Sequence, residues 1–466
     1  MNTDSHNLER DAGALDAADP LGTFRARFAV PPGVVYMDGN SLGLMPDAAE
    51  AAVLRVLAEW RKHGVEGWLD AEPPWFTLAE RVAAEMAPLI GASPDEIAIA
   101  NSTTVNLHQL LATLFRPGAQ RHAILADPLN FPSDLYAIRS HLRLRGLDPS
   151  RSLRLAPSRD GLTLDEGDII AAMDQPPPEA DGYRTGLGAD ICAADRKPPA
   201  GTADGSLDGR GAISDVGVIV LPTVLYAGGQ LLDVARLAAE ARRRSILFGL
   251  DLSHSIGALP HALDEWGVDF AFWCSYKYLN AGPGAIGGLY LNRRHHGAEP
   301  GLAGWFGSRR STQFDMLPEL DSAPDASRLH VGTPNILSVA AVQGALEVVN
   351  AAGIARIRRK SLDLTAFLMA LADAELAEFG VRVANPREEE RRGGHVALAH
   401  PEATRLCRAL KAARVVPDFR PPDIVRLAPV ALYNTFEDCF RAVATLRSIL
   451  ETGEHLNYEA GRGLVA

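Results

Sequence analysis

Lys277 is the residue of this sequence whose surroundings most strongly suggest chemistry. It follows the apolar run 268–273 and precedes the glycine-rich turn 282–288. A lysine at the end of a buried strand is costly unless it can lose its charge, and forming a Schiff base with a carbonyl compound achieves this. Asp251 ends another apolar run one strand–helix unit earlier, and an aspartate there could protonate a pyridine nitrogen. The two residues together predict a pyridoxal phosphate (PLP) site, whereas Lys277 alone would suggest a surface lysine after a strand.

A cluster of polar residues at 101–104 is a candidate phosphate site. It falls between a predicted strand and a predicted helix, where free N–H groups and the positive end of the helix dipole suit an anion. Thr103 and Thr104 would add hydroxyl donors to those amides. An ordinary helix N-cap is the alternative, because Ser and Thr are common at that position.

A second turn between a strand and a helix, at 130–134, contains Phe131 and Asp134. Phe131 could stack on a pyridine ring, and Asp134 could accept a hydrogen bond from a cofactor. Ligands of open α/β sheets bind beyond the carboxyl ends of the strands, and this turn lies at such an end. The alternative is a capped helix start with a packed phenylalanine.

Three further residues could act on a cofactor or substrate. His254 lies close to Asp251, and Tyr276 precedes the lysine, where it could move protons or donate to a phosphate; a buried structural tyrosine is the alternative. Arg426 stands inside the apolar stretch 423–429. The guanidinium group fits a carboxylate with two hydrogen bonds, although an internal salt bridge to Asp or Glu would also explain a buried arginine.

Apolar runs alternate with helical patterns from about residue 95 to 292, which indicates strand–helix units and a mostly parallel sheet. The runs are continuously apolar, as expected for strands covered on both faces. The pattern predicts strands over 97–100, 123–126, 216–221, 245–250 and 268–273, and helices over 105–115, 132–144 and 233–244. The predicted fold class is α/β, with a large, mostly parallel domain and a smaller C-terminal α+β domain.

The same patterns suggest a division of the chain into four parts. Residues 1–30 are acidic and polar and predict a flexible arm, and 31–75 would pack on the small domain or on a partner subunit. Residues 76–335 would form the large domain, with a disordered insertion rich in Pro, Gly and Asp at 175–211. Residues 336–466 would provide linking helices and the small domain.

Composition excludes several classes of function. The chain has 466 residues and a formal net charge of −12, which argues against nucleic-acid and anionic-membrane partners because both need a basic surface. The four cysteines show no CxxC spacing, and a reducing cytoplasm fits them. We find no 18-residue apolar run, no signal peptide and no HExxH, GxSxG or P-loop motif, so we expect no metal site.

Seven segments occur in an order that resembles the kynureninases, fold-type-I PLP enzymes related to the class V aminotransferases and the cysteine desulfurases. They are Met37–Gly43, Thr104–Leu111, Phe131–Asp134, Asp251–His254, Trp266–Gly282, Gly304–Gly307 and Ala428–Asn434. The Trp-Cys-Ser-Tyr-Lys-Tyr-Leu-Asn run at 273–280 is highly specific, and the resemblance covers about 34–450 apart from the insertion. It implies hydrolysis of the Cβ–Cγ bond of L-kynurenine or its 3-hydroxy form, in tryptophan degradation or NAD synthesis.

The resemblance also assigns roles residue by residue, with two subunits forming each site of a homodimer. Cofactor binding would involve Thr103, Thr104, Phe131, Asp134, Asp251, His254, Tyr276 and Lys277 from one subunit, with Trp305 and Thr333 from its partner. Lys277 would hold the PLP and remove the substrate α-proton, and Tyr276 would move protons. Arg426 would bind the substrate carboxylate, Asn40 would contact the substrate, and Trp68 would line the aryl pocket.

The sequence departs from the family's usual residues at two positions, and two other functions are possible for this fold. Pro222 stands where many relatives have Ser or Thr, which questions one cofactor contact, and Thr333 stands where some have Asn, which would tune the choice of substrate. A cysteine desulfurase would have the same fold, but such enzymes usually have His before the lysine and a reactive Cys on a mobile loop. A PLP-binding protein without turnover is the other rival.

Overall fold

The computed structural model describes residues 3–118, 120–175 and 214–461. The insertion predicted at 175–211 lies outside this part of the chain apart from its first residue. The strands are β1 Val35–Tyr36, β2 Ile97–Ile99, β3 Ala123–Ala126, β4 Leu153–Leu155, β5 Val216–Pro222, β6 Leu247–Asp251, β7 Phe270–Trp273, β8 Gly288–Leu291, β9 Arg382–Val383, β10 Val396–Ala399, β11 Val415–Val416, β12 Asp418–Arg420 and β13 Ile424–Leu427.

The α-helices follow the strands in the alternation that the sequence predicts. They are α1 Thr3–Ala18, α2 Asp47–His63, α3 Gly67–Asp70, α4 Leu78–Ile90, α5 Thr103–Leu114, α6 Pro132–Leu144, α7 Pro149–Ser152, α8 Glu166–Met173, α9 Val234–Arg243, α10 Leu263–Trp266, α11 Ile336–Ala352, α12 Ile354–Leu376, α13 Ala403–Ala412 and α14 Phe436–Thr452. Among these described helices none is by itself long and apolar enough to span a membrane; only α11 and α12 together pass that test, and they bend by 77°.

The large sheet has seven strands in the order β2-β8-β7-β6-β5-β3-β4. Its strands from β7 to β4 are parallel, and β8 runs antiparallel to both β7 and β2. The carboxyl ends of β2, β3, β5, β6 and β7 therefore lie at one edge. Alternate side chains of β5 enter separate apolar clusters, Ile219 and Leu221 on one face and Val218 and Val220 on the other. The predicted α/β class with a sheet covered on both faces is confirmed.

Two predicted strands begin later in the structure than in the sequence pattern. Ser245 has φ 55°, in the left-handed region, so it still belongs to the turn that ends α9, and β6 begins at Leu247. Gly267 has φ 73° and closes α10, which delays β7 to Phe270. Apolar runs include such lead-in residues because hydrophobicity reports burial rather than pairing.

The small domain has a four-stranded antiparallel sheet in the order β12-β13-β10-β9. Its core joins side chains of α12, α13 and α14 to Val35 and Met37 from the N-terminal segment. The same segment supplies β1, which pairs in parallel with β11. Helix α2, by contrast, packs on the linking helix α11, not on the small sheet.

The structure contradicts the expectation of a flexible N-terminal arm. Residues 3–18 form α1, and Ala12 and Leu21 are fully buried. The Asp16 carboxylate accepts hydrogen bonds from two backbone amides at the start of α14, and Asp19 forms a buried ion pair with Lys360 at 2.7 Å. The acidic composition that suggests disorder thus supplies an anion to a helix N-terminus and a partner to a buried lysine.

Candidate active site at the carboxyl edge of the large sheet

Adjacent strands bring the lysine and its predicted partners together. Asp251 is the last residue of β6, and it is in register with Phe272 of β7, so the loop that carries Lys277 begins beside it. Lys277 Nζ lies 2.8 Å from Nε2 of His254 and 5.7 Å from the centroid of the Phe131 ring. Burial lowers the pKa of His254 well below its ordinary value, and the Lys277 charge adds to this effect, so the imidazole is neutral.

Two buried carboxyl groups face each other in this pocket. Asp134, in the first turn of α6, shares a side-chain hydrogen bond with Asp251. Burial raises the pKa of both groups, and the Asp251 charge pushes the pKa of Asp134 well above its ordinary range. Asp134 therefore holds the proton and Asp251 the charge. Asp251 therefore keeps the negative charge that a protonated ring nitrogen needs in its partner.

Three aromatic side chains, those of Phe131, Tyr226 and His254, lie close together beside the lysine amine. The Phe131 ring, at the N-cap of α6, is 39% exposed and lies edge-on to Tyr226 at 5.3 Å. The Tyr226 ring in turn lies 6.4 Å from that of His254. The exposed face of Phe131 gives a flat ring room to stack, which fits the aromatic ring of PLP.

The turn at 101–104 forms a backbone cradle. Asn101 adopts φ 49°, and Ser102 is the extended N-cap of the twelve-residue helix α5, so the first amides of this helix point away from it. These free amides, together with the hydroxyls of Thr103 and Thr104, suit a phosphate group.

Tyr276 is half-buried beside the lysine. Burial raises the pKa of its phenol, and the neighbouring Cys274 thiol raises it further, so the hydroxyl keeps its proton at neutral pH. The phenol is therefore a hydrogen-bond donor. Pro222, the residue that questioned one cofactor contact, ends β5, and the hydroxyl of the adjacent Thr223 is buried without a partner among the described residues.

Arg426 reaches this edge from the small domain. It is fully buried in β13 and forms an ion pair with Asp418, which stands directly opposite on β12. Its Nη2 also donates to Ser41 Oγ at 3.0 Å, and Nη1 donates to the backbone oxygen of Tyr226. The internal salt bridge that the sequence left open is therefore present, and it shares the charge of Arg426 with Asp418.

The segment Met37–Gly43 joins the two domains at the site. Met37 accepts a backbone hydrogen bond from Ala428 at 2.7 Å, and Gly43 donates to the backbone oxygen of Tyr276 at 2.8 Å. A Cβ on Gly43 would overlap with the Lys277 carbonyl oxygen and the Asn280 side chain, so this close passage requires glycine. Between these ends, Asn40 is fully buried, and neither atom of its amide has a partner among the described residues.

Three predicted site residues lie outside the lysine pocket of this subunit. Trp68 is half-buried and packs edge-on against Trp75 at 6.0 Å. Trp305 is 43% exposed, and its indole donates to the Gln313 backbone at 3.0 Å. Thr333 is exposed and borders a cavity of about 260 Å³ that also contains Asn101.

Sequence reasoning missed Asp38, Ser41, Tyr226, Asp418 and Arg420. A hairpin prediction from Pro421-Pro422-Asp423 could have placed Asp418 opposite Arg426, since strand register fixes that pairing. Tyr226 carries a weaker signal, as an aromatic residue just after an apolar run. Asp38 and Ser41 lie in the segment Met37–Gly43 that resembles the family, but nothing local indicates that their contacts are with the other end of the chain.

Comparison with known proteins gives consistent matches. Residues 357–446 match the family model described as "Kynureninase C-terminal domain". The "Kynureninase" of Geobacillus thermodenitrificans is 46% identical over 98% of this chain and 97% of its own length, and that of Shouchella clausii is 43% identical over 99% of each. A cysteine desulfurase from Thermococcus onnurineus has a TM-score of 0.72 at 18% identity, covering 92% of this chain and 98% of its own. A C-DES mutant with glycine covalently linked to its PLP cofactor has a TM-score of 0.72 at 17% identity, covering 91% and 98%.

Proposed function

The chain belongs to the kynureninase family, and from this we propose that it is the PLP-dependent enzyme that hydrolyses L-kynurenine, or its 3-hydroxy form, to anthranilate or 3-hydroxyanthranilate and L-alanine. The observation that carries the proposal is the position of Lys277 beside the Asp134–Asp251 pair and near the small-domain Arg426. In this proposal Lys277 supplies the amine nucleophile, Asp251 the partner of the ring nitrogen, and Arg426 the anchor for the carboxylate.

The pocket fits PLP, which supplies an electron-withdrawing ring that stabilises negative charge on the substrate carbons. Asp251, with protonated Asp134 behind it, would pair with the ring nitrogen, and Phe131 would stack on the ring. Thr103, Thr104 and the first amides of α5 would hold the phosphate, with Tyr276 as a further donor. His254 would line the cofactor next to Lys277.

The side chains divide the proton transfers between them. Lys277 Nζ would take the substrate α-proton, and neutral His254 at 2.8 Å can accept its hydrogen bond and so hold the amine in place. Tyr276 retains its phenolic proton and can deliver it close to Lys277. One water is consumed as the Cβ–Cγ bond breaks: its hydroxyl joins the γ-carbonyl carbon to form the aryl carboxylic acid, which releases a proton to solvent, and its remaining hydrogen adds to Cβ to complete the methyl group of alanine.

Substrate recognition would use both domains. Arg426 would hold the α-carboxylate, with Asn40 as a neighbour whose free amide can bond to the substrate. Trp68 would line the aryl pocket. Thr333 would lie near the aryl or phosphate end of a neighbouring subunit's site and influence the preference for kynurenine or 3-hydroxykynurenine.

The direct test is to incubate the purified protein with L-kynurenine and, separately, with 3-hydroxykynurenine, and to follow the release of the aromatic product by fluorescence. We expect product with PLP present and equimolar alanine. Cysteine is the control substrate. Sulfide from cysteine without anthranilate from kynurenine would contradict the proposal and favour a desulfurase, and no turnover of any of the three would favour a PLP-binding protein without catalysis.

We further propose that the protein is a homodimer with shared active sites. Large apolar side chains are exposed on two surfaces, and isolated subunits rarely leave such groups uncovered. They include Leu54, Trp60 and Leu69 around α2 and α3, and Phe314 and Met316 next to Trp305. A two-fold partner covering these surfaces would bring Trp305 and Thr333 to the site of its neighbour.

Coexpression of two inactive variants tests this sharing. We expect Lys277→Ala and Trp305→Ala to be nearly inactive alone, but their heterodimer contains one site without either change. A random mixture should therefore recover about a quarter of the wild-type activity. Lys277→Ala with Asp251→Asn is the matched control, because these residues lie in the same subunit's pocket and each heterodimer site keeps one defect. Equal recovery in both mixtures would refute the shared site.

Asp38 predicts a pH dependence of carboxylate binding. Burial raises its pKa to about 6, with the neighbouring Asp418 charge raising it and Ser41, Arg426 and Arg420 opposing the rise. Above this pH the ionised Asp38 repels the substrate carboxylate, and below it the repulsion is lost. We expect Asp38→Asn to bind L-alanine roughly fivefold more tightly than wild type at pH 8, and equally at pH 5.5. A constant ratio across this range would contradict the role of Asp38.

We also propose that residues 76–335 and 336–466 act as the large and small domains, with 31–75 as the segment that joins them. In this proposal the enzyme works in the cytoplasm, on free amino acids. Limited proteolysis of the purified protein would test the division into domains. Fractionation of cells that express the protein would test its location.

A further inference from the structure

The hydrogen-bond donors of Arg426 are largely engaged before any substrate binds. Nη2 contacts both Asp418 and Ser41, and Nη1 donates to the backbone oxygen of Tyr226. A guanidinium offers a carboxylate two edges with paired donors, and both edges include Nη2. Arg426 therefore has no complete pair of free donors, although its buried Nε has no partner among the described residues.

Arg420 stands beside Arg426 and has more donors to spare. It lies on β12, two residues after Asp418, and its Nη2 contacts that carboxylate at 2.9 Å. The second contact of Nη2, to Ser41 Oγ, is long at 3.4 Å. Its Nε is buried without a partner, and within the described parts of the chain its Nη1 makes no hydrogen bond or ion pair.

The position of Arg420 connects it to the lysine pocket. Its guanidinium carbon lies 5.8 Å from the centroid of the Tyr226 ring, and that ring contacts both Phe131 and His254. The charges of Arg420 and Arg426 both lower the pKa of His254, whose imidazole touches Lys277. The side chain of Arg420 is 21% exposed, whereas that of Arg426 is fully buried, so Arg420 can move when a ligand arrives.

We infer that Arg420 is a second contact for the substrate α-carboxylate, and that Asp418 is the positioning residue that holds both arginines. One carboxylate oxygen takes a free N–H of Arg426, and the other takes a free N–H of Arg420. The inference rests on the proposed function and names a contact that the motif around Arg426 does not contain. Asp418 balances one of the two arginine charges, and Asp38 balances the other only when it is ionised, so the pair keeps a net positive charge for an anion while Asp38 holds its proton.

The experiment compares Arg420→Gln with wild type in the PLP-loaded enzyme. Loss of a charge-assisted contact should raise KM for L-kynurenine roughly 10- to 100-fold, with kcat within about threefold. Kynuramine, which lacks the α-carboxylate, should inhibit both proteins with the same constant. Arg420→Lys, which keeps the charge but has fewer donors, should give an intermediate KM.

Arg387→Gln is the matched control, since Arg387 is an exposed arginine of the small domain paired with Asp373. It should leave KM and the thermal midpoint unchanged. If Arg420→Gln does not fold, the KM of Arg420→Lys decides the question.

Three outcomes overturn the inference, and they are distinguishable. A wild-type enzyme that releases anthranilate, combined with an Arg420 variant of unchanged KM, refutes the second contact alone. Equal weakening of L-kynurenine and kynuramine also refutes it, because the effect would then be structural. A wild-type protein that releases no anthranilate refutes the proposed function and this inference with it.

Discussion

Lys277→Ala is expected to lower kynurenine turnover by at least about 10⁴-fold, because one change removes both the covalent anchor and the base. The variant should also lose the visible absorbance of lysine-bound PLP. Its fold should survive, since the half-buried Lys277 side chain loses its contact with His254, its position over Phe131 and its attraction to Asp134 and Asp251, while the surrounding core is unchanged. Product fluorescence, absorbance and the thermal midpoint measure the three effects.

Lys411→Ala provides the control for removal of a lysine, since Lys411 is exposed at the end of α13. This variant should keep wild-type turnover and absorbance. Near-normal release of anthranilate by Lys277→Ala would exclude the lysine from the chemistry, whatever happened to the absorbance.

Arg426→Met is expected to destabilise the protein by about 3 kcal/mol and to abolish saturation with substrate. Removing one partner of a buried ion pair typically costs about 3–5 kcal/mol, because the other charge stays buried. We expect a cost at the lower end of this range, since Arg420 keeps its 2.9 Å contact with Asp418 and so leaves that charge paired. Urea unfolding gives the free energy, and initial rates give KM.

A second substitution separates stability from binding. Replacing a buried pair with apolar residues is often neutral, so Arg426→Met with Asp418→Leu should regain most of the lost stability. It should not regain substrate binding, because no guanidinium is left in β13. Recovery of a wild-type KM in the double variant would show that Arg426 acts only on the fold.

Local patterns located five strands of the large sheet, but they predicted no strand at Leu153–Leu155 or Gly288–Leu291. The predicted bounds of β3 and α6 agree with the structure to the residue, because an apolar run and a proline-initiated helix fix them locally. Lys277 and Asp251 could be paired because consecutive parallel strands end at the same edge. The same rule placed Asp134, which follows another strand of this sheet, close to Lys277 and Asp251.

Contacts between distant parts of the chain could not be predicted. Ser41 and Arg426 are 385 residues apart, and no periodicity relates them. The acidic residues Asp16 and Asp19 have the composition of a flexible arm, and only their partners on α14 and α12 show otherwise. Trp305 and Thr333 are harder still, since their proposed partners belong to another molecule.

The path of Met37–Gly43 has a consequence for synthesis on the ribosome. Met37 bonds to Ala428 and the nearby Val35 pairs with Val415, so both residues emerge from the ribosome long before their partners are made. The strands around Lys277 are complete long before β13 is made. A nascent chain can therefore form a cofactor pocket before it contains Arg426, the proposed contact for the substrate carboxylate. Val35 and Met37 stay uncovered throughout, and this early segment is where we expect chaperones to bind the growing chain.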